Sequence, residues 1–334
     1  MNNSNIKKDR DYSVDLLRVL GTFLVILAHV DPPALLLEIR SFDVTLLVFI
    51  SGMSLKYSLC RDYLGYLKKR FIKLLIPTYL TIIIILGFLF LESRISGSFS
   101  ITTQYVLNSL LLIDGNSIGF VWIVKVYLFI ALLAPLLIWS VKAISNSIAF
   151  CALSIACISI TSVIINNTPY NIFTHEYLFY AIQYSLVASI GYSFALSSKR
   201  KKIYCLFVFC CFYSVYQVMQ HSFAPSLFKF PPKAYYLTYG LSVSAGLYLI
   251  FDSFIKKPGK ISSFVFWMSK NSFTIYIFHI YFMWFVFLLE RVIPSFNSVG
   301  WFFKYIFVVL FSIISCKAFL SFKNIVLISR MDKK

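Results

Sequence analysis

The 334-residue chain is poor in charge: 13% of its residues are Asp, Glu, Lys or Arg, while 59% are hydrophobic. A soluble globular protein draws about 25% of its residues from the charged set, so an ordinary water-facing surface is excluded and a membrane class follows. Acidic residues are the scarcest, 13 against 31 Lys and Arg, which leaves a formal charge of +18. That excess forms no continuous basic patch. It falls in short clusters between apolar runs, which excludes a nucleic-acid surface and fits the loops on the cytoplasmic side of a membrane. The seven cysteines, Cys60, Cys151, Cys157, Cys205, Cys210, Cys211 and Cys316, are odd in number and lack metal-ligand spacing. They read as buried thiols, and no metal is expected. No small-residue cleavage site follows the first apolar run and Arg18 interrupts it, so Lys7, Lys8 and Arg10 precede an uncleaved first helix instead of a signal peptide. No internal repeat of the transporter kind is visible.

What the chain does have is a series of apolar stretches, each long enough to span a bilayer at about 17–25 residues. They fall at 14–31, 42–59, 74–91, 119–140, 147–165, 177–197, 203–219, 234–251, 272–290 and 301–320. The expected fold class is all-α, a polytopic membrane protein of about ten transmembrane helices. Alternating the spans from a cytoplasmic start puts Lys56, Arg61, Lys68, Lys69, Arg70, Lys73, Lys142, Lys199 to Lys202, Lys256, Lys257 and Lys260 inside. Arg40, Arg94, Lys229, Lys233 and Arg291 remain outside, and the positive-inside rule turns this asymmetry into two cytoplasmic termini. The expected organisation is a cytoplasmic segment 1–13, one transmembrane domain 14–320 and a cytoplasmic tail 321–334. The longest outer connection contains a half-apolar segment, Tyr105 to Ile113, expected to dip into the interface. The 19% aromatic share suits lipid-facing surfaces and interfacial anchoring. Ser51 and Gly52 read as small residues that permit close helix approach.

The first span, DLLRVLGTFLVILAH from Asp15 to His29, carries an arginine that needs a reason. A helix-centre Arg costs about 2.5–3.5 kcal/mol on insertion scales. Asp15 is placed to pair with Arg18 one turn earlier, and the Arg stem can snorkel toward cytoplasmic headgroups. His29 adds a second polar group: eleven residues at about 100° each return to within about 20°, so Arg18 and His29 share one face, about 16 Å apart along the axis. Thr22 and Val25 lie on that face, and Leu20, Phe23, Leu24 and Leu27 lie opposite. Asp31, Pro32 and Pro33 would end the helix just beyond His29. Either residue alone has a bland explanation, a snorkelling cation or a hydrogen-bonded packing histidine. Together they draw a polar stripe across the membrane.

These residues resemble the acyltransferase-3 family of membrane acyltransferases, whose first helix carries the same Arg-x10-His arrangement. FISGMSL at 49–55 is similar to the family's FFxxSGF segment, and YLKKRFIKLLIP at 66–77 resembles its basic loop and RxxR motif. Here that motif reads Arg70, Phe71, Ile72, Lys73, a departure that puts in doubt any role needing a second planar guanidinium. GFVWIVKVYLFIALLAPLL at 119–137 resembles the family's tryptophan-containing helix, and NSFTIYIFHIYF at 271–282 resembles its SxxIYxxH segment. The resemblance implies transfer of an acyl group, acetyl before succinyl, from cytoplasmic acyl-CoA to a hydroxyl of a cell-surface polysaccharide or its lipid-linked precursor. It also implies a multi-pass protein of the bacterial cytoplasmic membrane, whose partners are membrane lipid, acyl-CoA and a carbohydrate acceptor.

Chemistry assigns the residues roles within that expectation. His29 is the general base for the acceptor hydroxyl, or alternatively a transient acyl-imidazole nucleophile. Arg18 is too far from His29 to serve the same carbonyl and is expected to position the donor, with Lys69, Arg70 and Lys73 binding its phosphates. Trp122, Tyr276, His279 and Glu290 are candidates for the substrate path, since His279 and Glu290 repeat the eleven-residue spacing of the first helix. For Trp122 an interfacial anchor, and for His279 simple packing, are the competing roles. The alternative function is a lipid-linked saccharide transporter that uses Arg18 and Lys125 to attract an anionic substrate.

Overall fold

The computed structural model describes residues 11–58, 62–96, 102–254 and 261–331. The expected assignments for Lys7, Lys8, Arg10, Cys60, Arg61, Lys256, Lys257, Lys260, Lys333 and Lys334 lie outside the described residues. The described chain is helical throughout, without strands. Its helices are α1 (Tyr12–Leu27), α2 (Ala34–Ile39), α3 (Asp43–Ser58), α4 (Tyr63–Ser96), α5 (Thr103–Leu110), α6 (Ile123–Ala143), α7 (Ser147–Asn167), α8 (Phe179–Leu196), α9 (Lys199–Gln220), α10 (Ala234–Phe254), α11 (Ile261–Val292) and α12 (Trp301–Met331). A π-helical segment, Phe173–Leu178, runs into α8. Among the described residues eight helices are long and apolar enough to cross a membrane: α4, α6, α7, the π segment with α8, and α9 to α12. The other two expected spans are α1 and α3, each of 16 residues. At 1.5 Å per residue each is about 24 Å long, short of the roughly 30 Å hydrocarbon core, and both are buried against neighbouring helices instead of facing lipid.

The expected spans are found, but several boundaries differ, and the reasons are physical. α1 stops at Leu27, before the tandem proline, so His29 sits in the turn that follows and not on the helix proper. Its amide still bonds the carbonyl of Ile26 at 3.1 Å, a tighter i to i−3 turn, and Asp31 then takes a left-handed φ of 51°. α4 and α11 begin eleven residues before their apolar cores, because the basic stretch 66–73 and the stretch 261–271 are themselves helical. The expected basic loop is therefore the first turns of α4, with Arg70 and Lys73 on one face. α12 continues to Met331, so most of the expected tail is helix. The Tyr105 to Ile113 segment contains the short helix α5, capped by the Thr102 side chain on Tyr105 N at 3.1 Å.

Helix starts are written locally. Asp11 caps α1 by accepting from Ser13 N at 3.0 Å and Val14 N at 3.3 Å, Asn146 caps α7, and Ser198 caps α9. Two prolines lie inside helices, Pro77 in α4 and Pro135 in α6. Pro135 leaves the carbonyl of Ala131 without its helical donor, and the Tyr63 hydroxyl of α4 reaches that turn, donating to Leu132 O at 2.6 Å.

α3 is the central post, packed against α1, α6, α8 and α10, while α9 and α12 stand at the periphery. Burial follows position: 72% of the apolar window of α8 is buried, against 11% for α9. Without a hydrophobic drive between helices in lipid, close packing must supply the association, and small residues permit it. A Cβ on Gly52 of α3 would lie 1.9 Å from the carbonyl oxygen of Ala188 in α8, and one on Gly191 of α8 would lie 2.1 Å from that of Phe49 in α3. The two backbones touch at two glycines facing in opposite directions. Replacing Gly52 by Ala is expected to lower stability by about 1–3 kcal/mol. Gly87→Ala in α4, where nothing lies within 4 Å, is expected to be neutral or stabilising; thermal unfolding of the two detergent-solubilised variants checks the contrast.

Candidate active site

Arg18 sits where α1 meets α3 and α11. Its guanidinium donates to Ser54 Oγ of α3 at 2.6 Å and to Ser269 Oγ of α11 at 3.0 Å, and lies 3.5 Å from the Asp15 carboxylate. Ser269 in turn donates to Asp15 at 2.6 Å. The expected Asp15 pairing is present, but the serines of two other helices hold the fork. Arg18 forms part of the wall of a cavity of about 280 Å³ at the cation-rich end of the bundle. Arg70 and Lys73 of α4 line the same cavity, as does Lys270 of α11, and among the described residues no carboxylate does. Arg70 also lies over the ring of Tyr66, 5.4 Å from its centroid. Lys69 is exposed and outside the cavity. The helical form of 66–73 explains this, since Lys69 points about 100° away from Arg70.

The inner end of the cavity is Tyr276. Its hydroxyl hydrogen-bonds the carbonyl of Phe120, in the connection before α6. Past Tyr276 stand two histidines. The ring of His279 lies 4.7 Å from that of Tyr276 and 5.7 Å from that of His29, the latter pair within 23° of parallel. Phe120 meets His29 edge-on at 4.5 Å. Tertiary packing thus brings Arg18, Arg70, Lys73, Tyr276, His279 and His29 into one line from the cavity to the far end of α1.

The remaining candidates lie elsewhere. Trp122 is 7% exposed, packed against Tyr180, Tyr184 and Phe230, so it is a buried residue of the outer half and not an interfacial anchor. Lys229 lies over its face at 5.8 Å and pairs with Asp43 at 3.5 Å, while Arg40 pairs with Asp43 at 2.5 Å. Lys125 is not an open cation: it is bound to Glu176 of the π-helical segment at 2.7 Å, with the Tyr180 ring 4.4 Å away. In the adjoining outer loop, burial and then the Glu176 carboxylate push the Asp114 carboxyl above its ordinary value, against the opposing pull of Lys125, Lys229 and the Gly115 amide. Glu290 pairs with Lys304 of α12 at 2.6 Å and does not line the cavity.

Sequence reasoning missed Lys270, Ser54, Ser269 and Phe120. All four adjoin segments already singled out: Ser54 lies within FISGMSL, Phe120 within GFVWIVKVYLFIALLAPLL, and Ser269 and Lys270 immediately precede NSFTIYIFHIYF. A place in or next to a matched segment was the available signal. Glu176 gave none, because its partner Lys125 lies 51 residues away.

The sequence matches the acyltransferase domain of the acyltransferase-3 family over residues 11–318, nearly the whole chain, and the protein belongs to that family. No curated protein and no solved structure matches it.

The buried Lys125–Glu176 pair makes its own prediction. Lys125→Met alone strands a carboxylate and is expected to cost about 3–5 kcal/mol, whereas Lys125→Met with Glu176→Leu is expected to return most of that loss. Thermal unfolding of the single and double variants checks it.

Proposed function

We propose that this member of the membrane acyltransferases transfers an acyl group, acetyl in the simplest case, from cytoplasmic acyl-CoA to a hydroxyl of a cell-surface polysaccharide or its lipid-linked precursor. The proposed setting is the bacterial cytoplasmic membrane. The single observation that carries the reading is the cavity whose wall holds Arg18, Arg70, Lys73, Lys270 and Tyr276, the last one helical turn before His279, whose ring lies 5.7 Å from that of His29. By the positive-inside rule the cation-rich end faces the cytoplasm, where acyl-CoA is made.

In this reading the nucleotide phosphates meet Arg70, Lys73 and Lys270, and the pantetheine arm runs past Arg18 toward Tyr276. A guanidinium held by two serines and a carboxylate is oriented before the donor arrives, so little ordering remains to be done on binding. Lys73 offers a point charge where the family pattern has a guanidinium, which suits a phosphate but not a bidentate clamp. His29, at the other end, takes the proton of the acceptor hydroxyl as its oxygen attacks the thioester carbonyl, and returns it to the departing thiolate. A hydroxyl acceptor with its glycan outside meets the thioester near the end of α1, where His29 lies in the turn after Leu27. The Lys125–Glu176 bond weighs against the saccharide-transporter alternative, which wants Lys125 free to attract an anion.

Two variants test the halves separately. His29→Ala is expected to reduce transfer of radiolabel from acetyl-CoA to membrane or surface glycan by about 100-fold or more while leaving CoA binding intact. Arg18→Ala is expected to weaken CoA binding by about 10–100-fold, the value of one or two charge-assisted hydrogen bonds. Glycan that is acylated normally by the His29→Ala protein, read by mass spectrometry of surface polysaccharide, would sink the assignment of His29. Label that is never transferred by the unaltered protein would favour transport instead.

A further inference from the structure

One buried atom near the cavity has no place in the reaction as written. Among the described residues Nε2 of His279 finds no hydrogen-bond partner, on a residue that is 0% exposed. Interiors seldom leave such an atom unpaired, because it carries its full desolvation cost. The opposite nitrogen of the ring defines what kind of atom it is. Nδ1 of His279 hydrogen-bonds the main-chain carbonyl of Tyr276, and a carbonyl can only accept. Nδ1 therefore carries the proton, and Nε2 of the neutral ring presents a lone pair. The unpartnered atom is an acceptor without its donor.

The nearest ring able to supply one is His29. Its centroid is 5.7 Å from that of His279, a gap closed by a modest rotation or by one bridging oxygen. Phe120 touches both rings, at 4.5 Å and 6.0 Å, and its own carbonyl is held by the Tyr276 hydroxyl. Among the described residues the groups whose fields reach His29 are His279, then Lys229 and Arg40, and no hydrogen bond fixes its ring. A histidine that acts as a base needs one nitrogen free and the other held, and here only His279 is placed to hold it.

We infer that His279 is a positioning residue for acyl transfer: its Nε2 accepts the N–H of His29, directly or through one water, and so turns the other nitrogen of His29 toward the acceptor hydroxyl. This rests on the acyl-transfer reading above. In the step itself the acceptor O–H bond breaks as its oxygen bonds the thioester carbonyl carbon, and the proton goes to the free nitrogen of His29. The C–S bond then breaks and that proton passes to the thiolate. His279 exchanges no atom. It keeps hold of the second N–H and shares the positive charge of the imidazolium while it lasts, the part an aspartate plays beside a triad histidine.

Two substitutions separate this role from packing. His279→Phe keeps an aromatic ring and the apolar contacts but removes the acceptor, and His279→Gln loses the ring but returns an acceptor oxygen near the place of Nε2. With radiolabelled acetyl-CoA and the full-length protein in native membranes, His279→Phe is expected to lower kcat by about 10–100-fold with an unchanged KM for acetyl-CoA. His279→Gln is expected to recover most of that loss. A packing residue gives the reverse order, and unaltered kcat in His279→Phe overturns the inference. Should the unaltered protein transfer no label, the acyl-transfer reading fails, and 15N NMR of histidine-labelled protein still reads the contact. A changed tautomer balance of His29 in His279→Phe supports the inference, and an unchanged one overturns it.

Discussion

An ionised guanidinium inside a lipid-embedded bundle has to be fully occupied or it has to leave, and Arg18 is occupied by groups from three helices. Ser54 brings α3 to it, Ser269 brings α11, and Asp15 of its own helix completes the set. Two neutral hydroxyls and one carboxylate answer the cost of burying the charge without neutralising every donor. The same contacts pin the three helices at one level, and this fixes what lies above them. Tyr276 and His279 stand about two and three turns further along α11, and His29 lies just past the end of α1, so the register set at Arg18 decides that these rings meet. The cavity is the space left beside that junction, closed on its open side by the first turns of α4.

Holding short helices in such a place needs neighbours at very close range. α1 and α3 are each too short to span lipid alone, and both are enclosed. The α3–α8 contact at Gly52 and Gly191 brings backbone against backbone, where dispersion and weak polar contacts are strongest and a side chain of any size would separate the helices. The long helices α9 and α12 then present apolar side chains outward. The short helices α1 and α3 are thereby held at the centre beside the cavity, and α9 and α12 carry lipid contact at the edge.

The outer half carries a second set of buried charges, Arg40 and Lys229 on Asp43 and Lys125 on Glu176. Each ion is paired within a few ångströms, as burial demands. Trp122 is wedged among these pairs and the rings of Tyr180, Tyr184 and Phe230. Its surroundings are those of a buried aromatic with a cation over its face, which do not fit the interfacial anchor that its position near a helix end offered as the competing role.

The Arg18–His29 stripe was drawn on a helix that stops at Leu27, short of His29, whereas the helical class and its long apolar helices were legible in the sequence, because hydropathy is a property of one continuous segment. So was the family, since its motifs recur in order along the chain. Boundaries were less legible: charged residues at 66–73 lower hydropathy without breaking a helix, so α4 was read eleven residues too short, and α1 ended before its prolines. The tertiary structure alone decided the rest. It chose Arg70 and Lys73 over Lys69, added Lys270 and the two serines, paired Lys125 with Glu176 and Glu290 with Lys304, and set His279 beside His29. Each of those outcomes depends on which helix stands next to which and at what height. That is fixed by side-chain fit between segments more than 250 residues apart, and no periodicity within a single segment carries it.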